Sequence, residues 1–254
     1  MDISIEQAGG ICTIRFNRPE KKNAITGAMY QTMADALKAA EADPAVRVIV
    51  FAGQPTIFTA GNDLEDFLKQ PPQGENSSVY QFMSALKGAA KPVVAAVAGP
   101  AVGIGTTMLL HCDLVYAADN AKFSMPFSQL GLCPEFSSSL LLQRVAGYQR
   151  AAEKLMLGEA FLADEALAMG IVNRVLPADE LLPFVQAQAA KLAALPASSV
   201  RTTKQLMKRG TAQEIDATMM EEGGHFRRML NAPEAKEAFT AFFEKRKPDF
   251  SRFS

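Results

Sequence analysis

Pro92-Val93-Val94-Ala95-Ala96-Val97 runs directly into Ala98-Gly99-Pro100-Ala101-Val102-Gly103-Ile104-Gly105-Thr106-Thr107. The first six residues are apolar and rich in β-branched side chains, as in a strand buried on both faces. Gly99 ends that strand. Beyond the glycines the apolar run Met108-Leu109-Leu110 reads as a helix. A buried strand that passes through a glycine turn into a helix is the building unit of layered α/β proteins.

The same arrangement occurs upstream. Val46-Arg47-Val48-Ile49-Val50-Phe51 is a short strand ending at Gly53, and Phe58-Thr59-Ala60-Gly61-Asn62-Asp63-Leu64 is a glycine turn opening a helix. Such turns expose backbone N–H groups, and a helix N-terminus adds a field that favours negative charge. Two of them facing one point can hold a developing oxyanion; the glycines can equally serve tight turns and close packing. The Gly103/Gly105 turn lacks the third glycine and the spaced acidic residue of a dinucleotide fingerprint.

Outward from these turns, Ile3, Ile5, Ile11, Thr13 and Phe16 predict a hairpin around Gly9-Gly10. Met29, Met33, Leu37 and Ala40 have helical spacing over 27–42, residues 79–90 read as a second helix, and 113–117 as another strand. Pro71 to Ser78 is a polar loop, the segment of the first hundred residues expected to be most mobile. After about residue 138 the pattern is almost wholly helical, with segments near 138–146, 148–157, 163–169, 178–194, 198–209, 212–230 and 233–246, bordered by Pro177, Pro196 and Pro233. The expected organisation is an α/β core over 1–195 and a helical region over 196–254.

Composition narrows the function. Among 254 residues, 48% are hydrophobic and 21% charged, ordinary globular usage. The formal net charge of -1 argues against a general nucleic-acid binder. No apolar run is long enough to span a bilayer, and the start Met1-Asp2-Ile3-Ser4 lacks the features of a signal peptide, so a cytoplasmic protein is expected. Cys12, Cys112 and Cys133 are widely spaced, and His111 and His225 are far apart, so neither a metal site nor a disulfide framework is indicated. His111 follows an apolar run and is expected to pack rather than react.

Several motifs stand in a familiar order: Asn17-Arg18-Pro19 with Lys22-Asn23-Ala24, the 58–63 turn, Lys91 to Gly99 and the second glycine turn, Cys112 to Ala117, Ala168 to Asn173, and Phe243 to Lys247. Over nearly its full length the chain resembles the crotonase (enoyl-CoA hydratase/isomerase) superfamily. The resemblance implies a crotonase-like spiral of ββα units with a helical C-terminal trimerisation region. It also implies an acyl-CoA substrate in fatty-acid β-oxidation, a homotrimer or dimer of trimers, and no separate cofactor, because coenzyme A arrives as part of the substrate.

The family holds its thioester carbonyl on two backbone N–H groups, which by resemblance belong to Asn62 and Ile104. Its hydratases carry two glutamates that activate water; those positions here are Thr107 and Phe127, which cannot act as acids or bases. Gly131-Leu132-Cys133-Pro134-Glu135-Phe136-Ser137 instead resembles the peroxisomal-type 3,2-enoyl-CoA isomerases, in which the glutamate after proline is the single base. Glu135 is therefore the expected catalytic residue, against the alternative of a surface or capping glutamate. An apolar wall suits such a base by raising its pKa. Phe127, Leu132 and Phe136 are its candidates, although Phe127 and Phe136 can equally be core. The expected substrate-binding set is completed by Ala24, Ala60, Asp63, Leu64, Gly103 and Thr107, with Lys22 and Lys247 toward the coenzyme A phosphates. The loop 70–78 is expected to border the acyl site. The alternatives are another crotonase enzyme, a hydratase using Asp63, Glu65 or Asp66 or a thioester hydrolase, and a noncatalytic acyl-CoA-binding protein.

Overall fold

The computed structural model describes residues 1–69, 71, 74 and 76–253. Strands β1 (Ile3–Ala8) and β2 (Ile11–Phe16) form the hairpin, antiparallel with Ile3 opposite Phe16. Helix α1 (Gly27–Ala42) leads to β3 (Val48–Ala52); α2 (Leu64–Lys69) and α3 (Ser78–Gly88) lead to β4 (Val93–Val97). Strand β5 (Pro100–Val102) and the helical turn α4 (Ile104–Thr107) precede β6 (Leu114–Ala118) and β7 (Lys122–Ser124). Then come α5 (Ser138–Ala146), α6 (Tyr148–Ala152), β8 (Phe161–Leu162), α7 (Ala163–Ala168), β9 (Arg174–Leu176) and α8 (Ala178–Ala194). Helices α9 (Ala197–Arg209), α10 (Ala212–Leu230) and α11 (Pro233–Phe243) end the chain.

The main sheet runs β1-β2-β3-β4-β6-β9, parallel except for the first hairpin, and a small sheet β5-β7-β8 stands beside it. Alternation along the strands sends side chains to two cores. Ile49, Phe51, Val93 and Ala95 join Met29, Met33 and Leu37 of α1 and Phe82 of α3. Val48, Val50, Val94 and Tyr116 face Leu181 and Val185 of α8 on the other side. The all-apolar β3 and β4 are thus explained by helices covering both faces. Thr26 caps α1, its Oγ1 accepting from Met29 N at 3.3 Å.

The hairpin, α1, β3, α3, β4 and β6 fall where the sequence pattern places them. The small sheet does not show in the pattern, because its strands are two or three residues long and β5 lies inside the second glycine turn. The nearly all-helical reading after residue 138 is corrected by β8 and β9. The expected 148–157 helix is α6 followed by a π-helical turn, Glu153–Leu157, and the last helix stops at Phe243, with Lys245 in a left-handed conformation. The loop expected over 70–78 lies partly outside the described residues; Gly74 and Ser77 are inside them. No helix among the described residues is long and apolar enough to cross a membrane.

Phe51 is fully buried and meets the Phe82 ring edge-on at a centroid distance of 6.2 Å. Phe51→Ala is expected to cost about 3–5 kcal/mol, the range for an unfilled aromatic cavity. Urea unfolding should show this as a lower midpoint with an unchanged slope.

Candidate active site

The two glycine turns are strapped together by the main chain. Val102 N donates to Thr59 O at 3.0 Å, and Thr59 N donates to Pro100 O at 3.0 Å. Gly61 (φ +84°) lies so close to this strap that a Cβ there would stand 2.7 Å from Val102 O. Gly103, at φ 55° and ψ −119°, occupies a region closed to side chains and caps α4.

The turns leave the amides of Asn62 and Ile104 over, and that of Gly105 one residue further into α4. Ile25 N donates to Gly61 O at 2.8 Å and Asp63 N to Ile25 O at 2.9 Å, a parallel bridge that passes over Asn62 N. Ile104 is the first residue of α4, where an N–H has no intrahelical acceptor. Among the described residues none of these amides has a hydrogen-bond partner. Asn62 and Ile104 line a groove of about 960 Å³. Lys22, Ala24, Ala60, Asp63, Leu64, Gly103, Phe127, Leu132 and Lys247 line the same groove.

A second cavity, of about 210 Å³, shares Asn62, Phe67 and Phe226 with the groove and continues beyond them. Val79, Tyr80, Met83, Phe136 and Met219 make it mostly apolar, and Glu135 is its one carboxylate among the described residues. The site therefore has a polar entry with two free amides, a waist at Asn62, and an apolar chamber holding an acid.

Glu135 is only 9% exposed. Burial raises its pKa most, the Thr107 hydrogen bond opposes this, and the nearby Glu222 carboxyl adds to it, so the group is pushed up to about 8. Thr107 Oγ1 donates to Glu135 Oε1 at 2.8 Å. That bond leaves Oε2 as the atom without a partner among the described residues. Thr107, expected to face the substrate, is fully buried behind the acid and lines neither cavity, which corrects its assignment.

The next two residues carry unusual backbone. Phe136 (φ 59°) and Ser137 (φ 56°) are both left-handed, at about 1–2 kcal/mol each for L-residues. The His111 ring stacks on Phe136 with centroids 3.8 Å apart, and its Nε2 lies 2.8 Å from Phe136 O. Burial pushes His111 down to about 4, so it is neutral at pH 7 and Nε2–H donates. His111 thus packs, as expected, and also braces the turn that carries Glu135.

The other acids are engaged elsewhere. Asp63 accepts from Arg18 Nη1 at 2.7 Å, and the Arg18 hydrogen bond and charge, with the Asp66 amide, hold its carboxyl below the usual range against the effect of burial. Asp66 accepts from Gly27 N at 2.7 Å and Glu65 pairs with Lys69. Cys112 and Cys133 are pushed up by burial to about 12 and about 11, so neither is a thiolate at pH 7.

Two contributors escape the sequence. Tyr30 is buried in α1 and donates from its hydroxyl to Asn62 Oδ1 at 2.5 Å, fixing the side chain at the waist. Phe226 of α10 lies at the waist, edge-on to Phe67 and Phe127 at centroid distances of 6.2 and 6.5 Å. Both read as ordinary core positions of amphipathic helices, and no local signal separates them from their neighbours.

Residues 6–252 match the family described as Enoyl-CoA hydratase/isomerase. The chain is 38% identical over 250 residues to Enoyl-CoA delta isomerase 2 of Rattus norvegicus, covering 96% of this chain and 64% of the rat protein; it spans less than two thirds of that relative. It is 33% identical over 257 residues to Crotonyl-CoA hydratase of Syntrophomonas wolfei, covering 98% of this chain and 97% of that protein. The crystal structure of an enoyl-CoA hydratase/isomerase from Pseudoalteromonas atlantica superposes with a TM-score of 0.95 at 38% identity, covering 98% and 100% of the two chains. The spiral and its paired turns define a crotonase fold. The chain belongs to the enoyl-CoA hydratase/isomerase family.

The buried acid has a stability consequence. Between the ordinary value of 4.5 and about 8, folded Glu135 holds a proton that the unfolded chain releases, so stability falls as pH rises through that window. Glu135→Gln, which keeps an acceptor for Thr107 but no ionisable group, is expected to gain roughly 1–2 kcal/mol at pH 8.5 and nothing at pH 4. Melting temperatures of the two proteins at both pH values check this.

Proposed function

We propose that this chain is a 3,2-enoyl-CoA isomerase that uses Glu135 as its single proton shuttle. The observation that carries the reading is the buried, unpaired acid in the apolar chamber, one waist residue away from two unpartnered amides. Thr107 and Phe127 stand at the two positions where resemblance puts the water-activating glutamates of hydratases, and Asp63, Glu65 and Asp66 are occupied by other partners.

The chemistry follows from this arrangement. The thioester carbonyl oxygen accepts from Asn62 N–H and Ile104 N–H. The C2 hydrogens of a 3-enoyl thioester are acidified by both the carbonyl and the alkene. Ionised Glu135 removes one through Oε2, and the electron pair spreads into a dienolate whose charge rests on the thioester oxygen, where the amides stabilise it. The proton on Oε2 then passes to C4, the double bond forms between C2 and C3, and Glu135 is ionised again. No water enters the balance. A base whose pKa lies near the working pH is effective in both steps. Lys22 and Lys247 at the groove mouth suit the coenzyme A phosphates.

Glu135→Gln is expected to lower kcat on a 3-enoyl-CoA by at least about 10³-fold, with KM changed little. Near-normal turnover would remove Glu135 from this role. Rapid formation of hydroxyacyl-CoA from a 2-enoyl-CoA would favour the hydratase reading, which the Syntrophomonas relative represents.

The free enzyme must be ionised at Glu135 to react. With the acid pushed up to about 8, kcat/KM is expected to rise about tenfold per pH unit up to that value and then level off. A stopped assay from pH 6 to 10 reads this limb; a flat profile would mean the acid does not titrate in the rate.

In the same reading the chain assembles as a trimer or a dimer of trimers. Tyr148, Met156, Leu157 and Leu162 are between 54% and 65% exposed, more apolar surface than the α5–α7 region needs if it stays in water. Sedimentation equilibrium should return a multiple of three; a monomer mass would overturn this.

A further inference from the structure

A second carboxylate is buried behind the catalytic turn. Glu222 of α10 is 6% exposed and lines neither cavity. Its Oε2 accepts from Ser137 N at 2.6 Å, and its Oε1 accepts from Ser139 N at 3.0 Å and from Ser139 Oγ at 2.5 Å. These amides belong to the open end of α5, which has no side-chain cap of its own. The cap comes from a helix 83 to 85 residues further along the chain. Ser137 Oγ donates to Ile215 O of the same helix at 2.8 Å. Helix α10 thus holds one side of the Phe136–Ser137 pair and His111 holds the other.

We propose that Glu222 is a positioning residue for Glu135: from the C-terminal helices, its carboxylate clamps the left-handed turn that aims the catalytic base into the chamber. This rests on the isomerase reading above. The clamp is needed because two consecutive left-handed L-residues relax to ordinary backbone unless their surroundings over-determine them. Relaxation of Phe136 and Ser137 would swing Glu135 away from Thr107 and out of line with the substrate carbons. Burial raises the Glu222 pKa, and the three donors from Ser137 and Ser139 oppose this by favouring the carboxylate that accepts them.

The clamp also acts through charge. Its negative charge disfavours ionisation of Glu135 and raises that acid's pKa. Among the described residues the other titratable groups near the pair are the Tyr30 phenol toward Glu135, Arg227 lining the same chamber, the Cys133 thiol that feels both acids, Glu221 beside Glu222 on α10, and Arg228 toward Cys133. Tyr30 and Cys133 are neutral at pH 7, because burial raises both.

The test compares wild type, Glu222→Gln, Ser139→Ala and Glu135→Gln on one 3-enoyl-CoA from pH 6 to 10. It adds ¹³C NMR titration of the glutamate carboxyls, with the Glu135 signal assigned by its absence from Glu135→Gln. Glu222→Gln is expected to lower kcat about tenfold or more with KM within about threefold, and to move both the acid limb and the Glu135 titration to lower pH. Ser139→Ala, which removes one donor and keeps both backbone bonds, is expected to lower kcat a few-fold in the same direction. A folded Glu222→Gln with unchanged kcat and unchanged Glu135 titration overturns the proposal. If that variant does not fold, an unchanged kcat and titration in Ser139→Ala overturns it. Absence of isomerisation by wild type, or its persistence in Glu135→Gln, would overturn the parent reading instead, while the NMR titration would still read the hold of Glu222 on Glu135.

Discussion

The structure depends on the close approach of two backbone segments, 58–62 and 100–104, hydrogen-bonded to each other between Thr59, Pro100 and Val102. Contact at this distance is open only to a residue without a Cβ at Gly61. Once the strap is made, the bridge to Ile25 uses the carbonyl of Gly61 and the N–H of Asp63 on either side of Asn62, and α4 begins at Ile104 with nothing behind it to accept. The vacant N–H groups of Asn62 and Ile104 are therefore by-products of the strap, the bridge and the helix start. They follow β3 and β4, whose two faces are both covered by helices. Donors fixed in this way need no reorganisation when charge appears in front of them, which makes a backbone site effective.

The acid is arranged on the opposite principle. Glu135 has no ion-pair partner among the described residues: Thr107 offers one hydrogen bond, the walls are mostly apolar with Arg227 among them, and the Glu222 carboxyl adds a repulsive charge. Such a group destabilises the folded chain when ionised, and this is the condition under which a carboxylate suits the proton abstraction proposed for it near neutral pH. The surrounding protein holds it by bracing its backbone. His111, buried and neutral, stacks on the neighbouring ring, and Glu222 occupies the end of α5. The entry groove and the base chamber thus come from different parts of the chain, the first from the spiral and the second from a turn gripped by α10.

Much of this was legible in the residues. The β-branched runs 46–51 and 92–97 predict buried strands, and the glycine turns after them predict exposed amides, because a backbone donor needs only a turn and a helix start. Glu135 was legible only through the resemblance of the 131–137 segment, since nothing in the order Pro134-Glu135-Phe136 says that the acid is buried. Tyr30 and Glu222 were not legible. Each acts on a residue 32 to 85 positions away, and a tyrosine or glutamate in an amphipathic helix carries no mark of what its tip will meet. Thr107, expected to face substrate, lines neither cavity and instead donates to the acid, a contact that the residue order does not announce. The small sheet was missed because two- and three-residue strands have no period to detect.

The waist at Asn62, Phe67 and Phe226 has a regiochemical consequence for the proposed substrate. In the proposed reaction the carbonyl is pinned on the groove side, and the acid stands in the chamber beyond the constriction. Which carbons exchange hydrogen is then counted from the sulfur end of the molecule, never from the methyl end. Lengthening or branching the hydrocarbon tail changes how the far chamber is filled between Met83 and Met219, but it leaves the bond that migrates in register with the same oxygen atom.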